Sequence, residues 1–269
     1  MLLPVSGLEV QFRAPDGSDD LAILEAAGSD LERSLQVLPR LARFADGADA
    51  AATEGDSAQW AALTVTDFET ALLGLRRFLF GDKVACVFRG DSHQCGVRME
   101  LEFSITEFLR DACSRLPSGV RRIEESPEWF ELEREALRFR LPSMEDQLKV
   151  MGEPRAAELL TARCVDAPKP EAFKLGARAR SKVERAMEAL APLVSRPLAG
   201  SCPECGEGLT MSLYVPKLVM DELGLRAAGV QEEIHEIASA YHWDEASILA
   251  MPQRRRRAYA EMIRQRGTA

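Results

Sequence analysis

The stretch that says most about this chain is EEIHEIASAYHWDEASILAMPQRRRRAYAEMI, from Glu232 to Ile263. Apolar residues recur at helical spacing in its first third, which predicts one amphipathic helix. Asp244 is a suitable N-cap for a short second helix, and Pro252 suits the first turn of a third. Residues 228–266 are therefore expected to form a compact module of helices.

This module should have an aromatic corner and a basic end. Trp243 is expected at the corner, packed against Tyr241 or Ile248. The four arginines 254–257 are expected to point mostly outward. The inner face of the third helix is expected to carry Tyr259, Met262 and Ile263. Because aromatic and arginine side chains often anchor interfaces, the predicted partner-binding residues are Tyr241, Trp243, Arg254, Arg255, Arg257 and Tyr259.

Three stretches resemble a known family. The run IASAYHWDEASILAMPQRRRRAYAEMI resembles the C-terminal signature of baseplate proteins from T-even-like contractile-tail phages and from phage-derived contractile injection systems. LRFRLPSMEDQ (Leu137 to Gln147), followed by LLTARCV (Leu159 to Val165), resembles the family's middle segment. CPECG (Cys202 to Gly206), followed by an alternating strand, resembles its metal-knuckle region. The order of these pieces carries the resemblance, which covers the C-terminal half best; Asp244 replaces the serine cap expected in the family.

The resemblance implies a function without catalysis. The chain would be a structural or assembly component of a contractile tail baseplate or hub, and it would contact other baseplate, hub or spike proteins. No nucleic acid, membrane or small-molecule substrate is expected as a partner. The expected location is the cytoplasm, with incorporation into a phage or phage-like particle. Two alternatives stay open: a tail assembly chaperone that is absent from the mature particle, and a metal-dependent enzyme.

Composition agrees with a protein that works in the cytoplasm. The 269 residues are 46% hydrophobic, and no apolar run is long enough to cross a bilayer. The N-terminus has no pattern typical of a signal peptide. The net charge is −9, but residues 252–269 hold six arginines and one glutamate, so an acidic body carries a basic tail. An acidic body argues against general nucleic-acid binding.

The CPECG stretch predicts a structural zinc site. Two cysteines separated by two residues can both reach one tetrahedral zinc ion, and the following glycine lets the backbone turn toward the thiolates. Cys202 and Cys205 would supply half of the site, with Cys86 and Cys95 as the expected other half. His93 and Cys164 are further candidates. The alternative is that the six cysteines are buried thiols.

The sequences that follow the two Cys-Gly pairs have the same pattern. Cys95-Gly96 and Cys205-Gly206 are each followed by an alternating apolar pattern and then by a helical one. Both units are therefore expected to run strand then helix, and to superpose.

Together these patterns predict an α+β fold, mostly helical, with two small Cys-Gly/strand/helix units and a C-terminal helical module. The expected divisions are 1–116, an N-terminal α+β region with the first Cys/strand/helix unit; 117–200, a helical middle region; and 201–269, the zinc-knuckle-like unit and the C-terminal interaction module. A flexible loop is expected over 45–59 and a helix over 106–116. Trp129 is expected to begin a short helix or a docking patch.

Overall fold

The computed structural model describes residues 1–45, 54–89, 98–110, 114–166, 176–202, 204–206 and 208–267. It is mostly helical with small sheets, which confirms the predicted α+β class. The helices in these ranges are α1 (Gly17–Glu25), α2 (Asp30–Leu41), α3 (Glu54–Ala62), α4 (Val65–Phe80), α5 (Ile105–Arg110), α6 (Met144–Val150), α7 (Ala156–Arg163), α8 (Ala177–Leu190), α9 (Val215–Ala227), α10 (Val230–Tyr241), α11 (Glu245–Leu249) and α12 (Gln253–Gly267). The strands are β1 (Val10–Phe12), β2 (Ala42–Phe44), β3 (Lys83–Arg89), β4 (Arg98–Ser104), β5 (Val120–Ile123), β6 (Ser126–Leu132), β7 (Leu137–Arg140), β8 (Pro197–Ser201) and β9 (Gly208–Ser212). Across the described ranges, no helix combines the length and the apolar character needed to cross a membrane.

Contacts group the chain into two compact units. Unit 1 contains Met1–Val10 and Thr53–Val215, and unit 2 contains Gln11–Ala52 and Pro216–Ala269. Unit 2 therefore joins an early segment of the chain to its last helices. The three regions predicted from the sequence divide the chain differently and stay a prediction.

Unit 1 has an apolar cluster beneath a three-stranded antiparallel sheet of order β5-β6-β7. Phe130 pairs with Phe139 across β6 and β7, and their ring centroids lie 5.7 Å apart. For the segment beginning at Trp129, the sequence predicts a short helix or a docking patch. The helix is wrong, because this segment belongs to the central strand β6. Partner strands on both sides satisfy its backbone, which a local sequence pattern does not reveal.

Two further antiparallel hairpins belong to unit 1, β3–β4 and β8–β9. Helix α5 follows β4, and helix α9 follows β9 two residues later. The predicted order of strand then helix is confirmed in both places, while superposition of the two units stays a prediction. Helix α5 is shorter than expected: the amide of Arg115 donates to the carbonyl of Ala189 (2.9 Å), so the chain has left the helical path there.

The predicted loop over 45–59 is wrong in its second half. Helix α3 begins at Glu54, and Trp60 on it is 1% exposed. Burial of that large side chain stabilises a helix whose small, acidic sequence has little amphipathic character. Residues 46–53 lie outside the described part of the chain.

Candidate functional site

The C-terminal module is three helices joined by short turns, as predicted. Helix α10 ends where His242 takes a left-handed conformation (φ +56°), and this residue turns the chain. The Asp244 carboxylate then caps α11 by accepting from the amide of Ser247 at 2.9 Å. The carbonyl of Pro252 accepts from the amides of Arg255 (2.8 Å) and Arg256 (3.2 Å), which fixes the first turn of α12.

An aromatic cluster lies at the corner between α10 and α11. The ring of Trp243 stacks on Tyr241 with centroids 5.1 Å apart, and it meets Tyr259 edge-on at 5.2 Å. Tyr241 and Tyr259 are 5.8 Å apart, also edge-on. The prediction that Trp243 packs against Tyr241 is confirmed. Trp243 nevertheless remains 38% exposed, so the cluster presents an apolar ring to its surroundings.

The four consecutive arginines of α12 occupy different environments. Arg254, Arg255 and Arg257 are exposed, as predicted, but Arg256 is 0% exposed. The predicted inner face is therefore wrong in part. Arg256 and Ala260 are its buried residues, and Met262 is 41% exposed.

Arg256 is buried because unit 2 surrounds it with acceptors. Its Nη2 donates to Oδ2 of Asp20 (2.6 Å), its Nε donates to Oε2 of Glu233 (3.0 Å), and its Nη1 donates to the carbonyl of Met251 (2.8 Å). Asp20 and Glu233 are 0% and 4% exposed. Burying a charge is tolerated only when it is paired and hydrogen-bonded, and this guanidinium meets that condition.

The same carboxylates bind two further arginines. Arg226 of α9 also donates to Asp20, and Arg257 donates from Nε to Oε1 of Glu233 (3.3 Å). The Nη2 of Arg257 donates to the carbonyl of Arg226 (3.1 Å). We call Asp20, Arg226, Glu233 and Arg256 the buried charge cluster. It ties α1 to α9, α10 and α12, so the C-terminal module is built on a helix from the beginning of the chain.

The buried charge cluster requires the backbone of α1 to pass close to Arg256 and Leu249. A Cβ atom on Gly17 would lie 2.6 Å from Nη1 of Arg256 and 2.7 Å from the carbonyl oxygen of Leu249. Only glycine fits there without a shift of α1 or α11. Beside it, Asp19 accepts from Arg13 (2.7 Å) and from Arg40 (3.2 Å), which fixes α1 against α2.

The two stretches that carry the middle-segment resemblance contact each other in unit 1. Arg140 donates to both carboxylate oxygens of Asp146, and Arg163 donates to the same carboxylate at 3.3 Å. Burial alone would raise the pKa of Asp146, but the bonds from Arg140 and Ser143 outweigh it and lower the pKa to about 2. The amide of Arg140 donates to the carbonyl of Cys164 (2.8 Å), so the strand and the end of α7 form one connected structure.

Cys202 and Cys205 lie in the turn between β8 and β9. The amide of Gly206 donates to the carbonyl of Cys202 (2.9 Å), and Gly206 has φ +75°, as a knuckle turn requires. Cys202 is buried, and Cys205 is exposed. The turn is therefore closed by a backbone hydrogen bond, and zinc binding there stays a prediction.

The other proposed zinc ligands are less well placed. Cys86 lies within β3, opposite Leu101, and is half-buried. Cys95 and His93 lie outside the described residues. Cys164 is buried, and this burial raises the pKa of its thiol to about 12, which disfavours the thiolate that zinc requires. No group of three or more candidate ligands occurs in the described ranges.

Sequence reasoning missed buried carboxylates in unit 1, among them that of Glu69. Glu69 on α4 is 2% exposed, and it accepts from the amide (2.8 Å) and hydroxyl (2.6 Å) of Ser195. The Ser195 hydroxyl in turn accepts from the amide of Val215 at the start of α9 (3.0 Å). Burial raises the pKa of Glu69, and the two bonds from Ser195 lower it only in part. This arrangement fixes the segment before β8 to α4.

Comparison with protein-family models, curated proteins and solved structures finds no match. The likeness to contractile-tail baseplate proteins therefore rests on the three stretches quoted above, and the function that it implies is a proposal.

Proposed function

We propose that this chain is a non-enzymatic structural or assembly component of a contractile tail baseplate or hub, and that its C-terminal module docks onto another protein of the particle. The supporting observation is the surface formed by Trp243, Tyr259, Arg254 and Arg255, which we call the docking face. It combines a partly exposed aromatic cluster with the exposed guanidinium groups of Arg254 and Arg255, which lie about one turn before Tyr259 on α12.

Five of the six arginines of α12 can be divided into two groups by their ion pairs. Arg256, Arg257 and Arg264 pair with carboxylates of unit 2. Within the described ranges, Arg254 and Arg255 form no ion pair. Two exposed cations on the helix that carries Tyr259 suit an acidic partner surface, where complementary charge contributes mainly to orientation and association rate.

The predicted role of Arg257 needs revision in one respect. Its Nε and Nη2 are bound to Glu233 and to the carbonyl of Arg226, although its side chain is 53% exposed. Changing Arg257 would disturb the buried charge cluster as well as the docking face. A clean test should therefore leave Arg257 in place.

The experiment combines Arg254→Glu with Arg255→Glu and, in a second variant, changes Trp243→Ala. A charge-matched control, Arg178→Glu with Arg185→Glu, alters two exposed arginines of α8 in unit 1. Purified particles from cells that express each form are then analysed by mass spectrometry. We expect the control and the unaltered chain in finished particles, and we expect both docking-face variants to be folded but depleted from them.

The outcomes separate the candidate functions. An unaltered chain that occurs only in assembly intermediates would indicate a tail assembly chaperone. Its absence from particles and intermediates alike would overturn the proposal. Particles that contain the docking-face variants at normal levels would show that this face is a solvated surface.

We also propose a structural zinc ion at the turn of Cys202 and Cys205. The two-residue spacing would let both thiolates reach one tetrahedral ion, and Cys86 with Cys95 remain the proposed second half. The β8–β9 hairpin supports the idea independently, because a two-stranded sheet alone is marginally stable in water. Zinc bound at its tip would fix the hairpin and would supply no catalytic chemistry.

A further inference from the structure

The β8–β9 hairpin of unit 1 has an unusual surface. Its strands read PLAGS and GLTMS, without a charged residue, in a chain that is 29% charged. In the described part of the chain these strands pair only with each other. Most of the residues with a known exposure are exposed, among them Ala199, Gly208 and Thr210.

The register fixes which amides face away from the hairpin. The amide of Leu213 donates to the carbonyl of Arg196 (3.1 Å), so these opposite residues form a hydrogen-bonded pair. Hydrogen-bonded and non-bonded pairs alternate along an antiparallel ladder. Ala199 and Thr210 are opposite each other at a non-bonded position. The backbone N–H and C=O of Thr210 therefore point outward from the free edge of β9.

The two edges of the hairpin are not equivalent. Strand β8 begins with Pro197, which has no N–H and blunts its edge. Strand β9 contains no proline and no charge, and its outward positions are Gly208, Thr210 and Ser212, all exposed. Natural proteins usually protect such an edge with lysine, proline, a bulge or a covering element.

We propose that the β9 edge pairs with the β9 edge of a second copy of this chain, antiparallel about Thr210. Self-pairing places Thr210 opposite its counterpart and Gly208 opposite Ser212, a twofold arrangement in which no like charges meet. Only an extended backbone matches the alternating donors and acceptors of a strand edge. Five residues of pairing bury far less than the roughly 1,000 Å² of a stable interface, so the dimer is weak and forms at high local concentration.

Sedimentation velocity over a wide concentration range tests this inference. Reductant is present throughout, because the exposed Cys205 would otherwise add disulfide dimers. We expect the weight-average mass of the unaltered chain to rise from monomer toward dimer. Thr210→Pro removes one outward N–H and leaves the bonds between β8 and β9 intact, so this variant should stay monomeric. The matched control Thr210→Val keeps the N–H and should associate like the unaltered chain.

A second variant guards against misfolding of the proline form. Thr210→Lys keeps the backbone donor but brings two positive charges together at the twofold axis, so it should associate less, and added salt should restore association. An unaltered chain that stays monomeric at all concentrations would overturn the inference. Association of Thr210→Pro and Thr210→Lys at the level of the unaltered chain, at low salt, would overturn it equally. Neither result bears on the docking face of unit 2, so this inference and the proposed function can fail separately.

Discussion

Nη2 of Arg256 lies 2.6 Å from Oδ2 of Asp20, although the two residues are 236 positions apart in the chain. Both residues are 0% exposed. A buried ion pair adds little over an apolar pair of the same shape, but removal of one partner leaves an uncompensated charge. The pair therefore makes unit 2 sensitive to single substitutions.

Arg256→Ala should destabilise unit 2 strongly. We expect a loss of about 3 kcal/mol in the free energy of unfolding, because Asp20 and Glu233 would keep only Arg226 and Arg257 as partners. Arg254→Ala, two residues earlier on the same helix, should change it by less than about 0.5 kcal/mol. Urea denaturation followed by circular dichroism measures both. Equal stability of the two variants would contradict the role of the buried charge cluster.

Glycine at position 17 should be required for close packing. Gly17→Ala places a methyl group against Arg256 and Leu249, and overpacking of this kind costs about 1 to 3 kcal/mol. Gly224→Ala makes the same chemical change inside α9, where nothing lies within 4 Å of the added carbon. That variant should gain about 0.5 to 1 kcal/mol from helix propensity. Opposite shifts in melting temperature are the expected result.

Asp146 should make stability depend on acid pH. Its folded pKa of about 2 lies below the ordinary value of 3.8, so its stabilising contribution is present above pH 3.8 and is lost as the pH falls toward 2. Since Arg140 and Arg163 are partly exposed, solvent screening reduces this contribution to about 1 to 2 kcal/mol. Asp146→Asn should remove that part of the pH dependence, whereas Glu145→Gln, on the exposed side of α6, should leave it unchanged. Chemical denaturation at several pH values between 2 and 6 distinguishes the two.

Glu69 should act in the opposite direction. The pKa of Glu69 in the folded protein is raised above its ordinary value of 4.5. The charged form is therefore disfavoured by folding, and stability falls as the pH rises from the unfolded pKa through the folded one. Glu69→Gln should flatten the stability curve in that window and should leave the variant at least as stable near neutral pH. The exposed residue Glu107, changed to glutamine, is the control. A Glu69→Gln variant with the slope of the unaltered chain would refute this assignment.

Zinc removal should affect the β8–β9 hairpin first. We expect elemental analysis of freshly reduced protein to find one zinc per chain, and Cys205→Ser to lower this content. Chelation should then speed hydrogen exchange at the amides of β8 and β9 that are paired with each other. Protein without zinc, in which Cys205→Ser changes neither stability nor exchange, would show that the turn needs no metal.

Local signals predicted much of the fold. The N-cap at Asp244 and the alternating pattern after Cys95-Gly96 depend on neighbouring residues, and the structure has the expected helix and strand. The burial of Arg256 could not be predicted from local sequence. A run of four arginines has the pattern of a solvated helix face, and the carboxylate of Asp20 that buries Arg256 is distant in sequence. Strand β6 was missed for a similar reason, since its backbone bonds depend on β5 and β7.

Unit 2 is built from an early and a late segment of the chain, so it can be completed only late in translation. Helix α1 is synthesised early, but Arg226 and Arg256, the cations that neutralise Asp20, follow 206 and 236 residues later. A growing chain adds only about 5 to 20 residues per second. Residues 11–44 must therefore wait, with the Asp20 carboxylate still without these cations, through the synthesis of residues 53–215 of unit 1. A ribosome that stalls before α12 would leave a nascent protein in which Asp20 of the first helix lacks Arg256, one of its two cations.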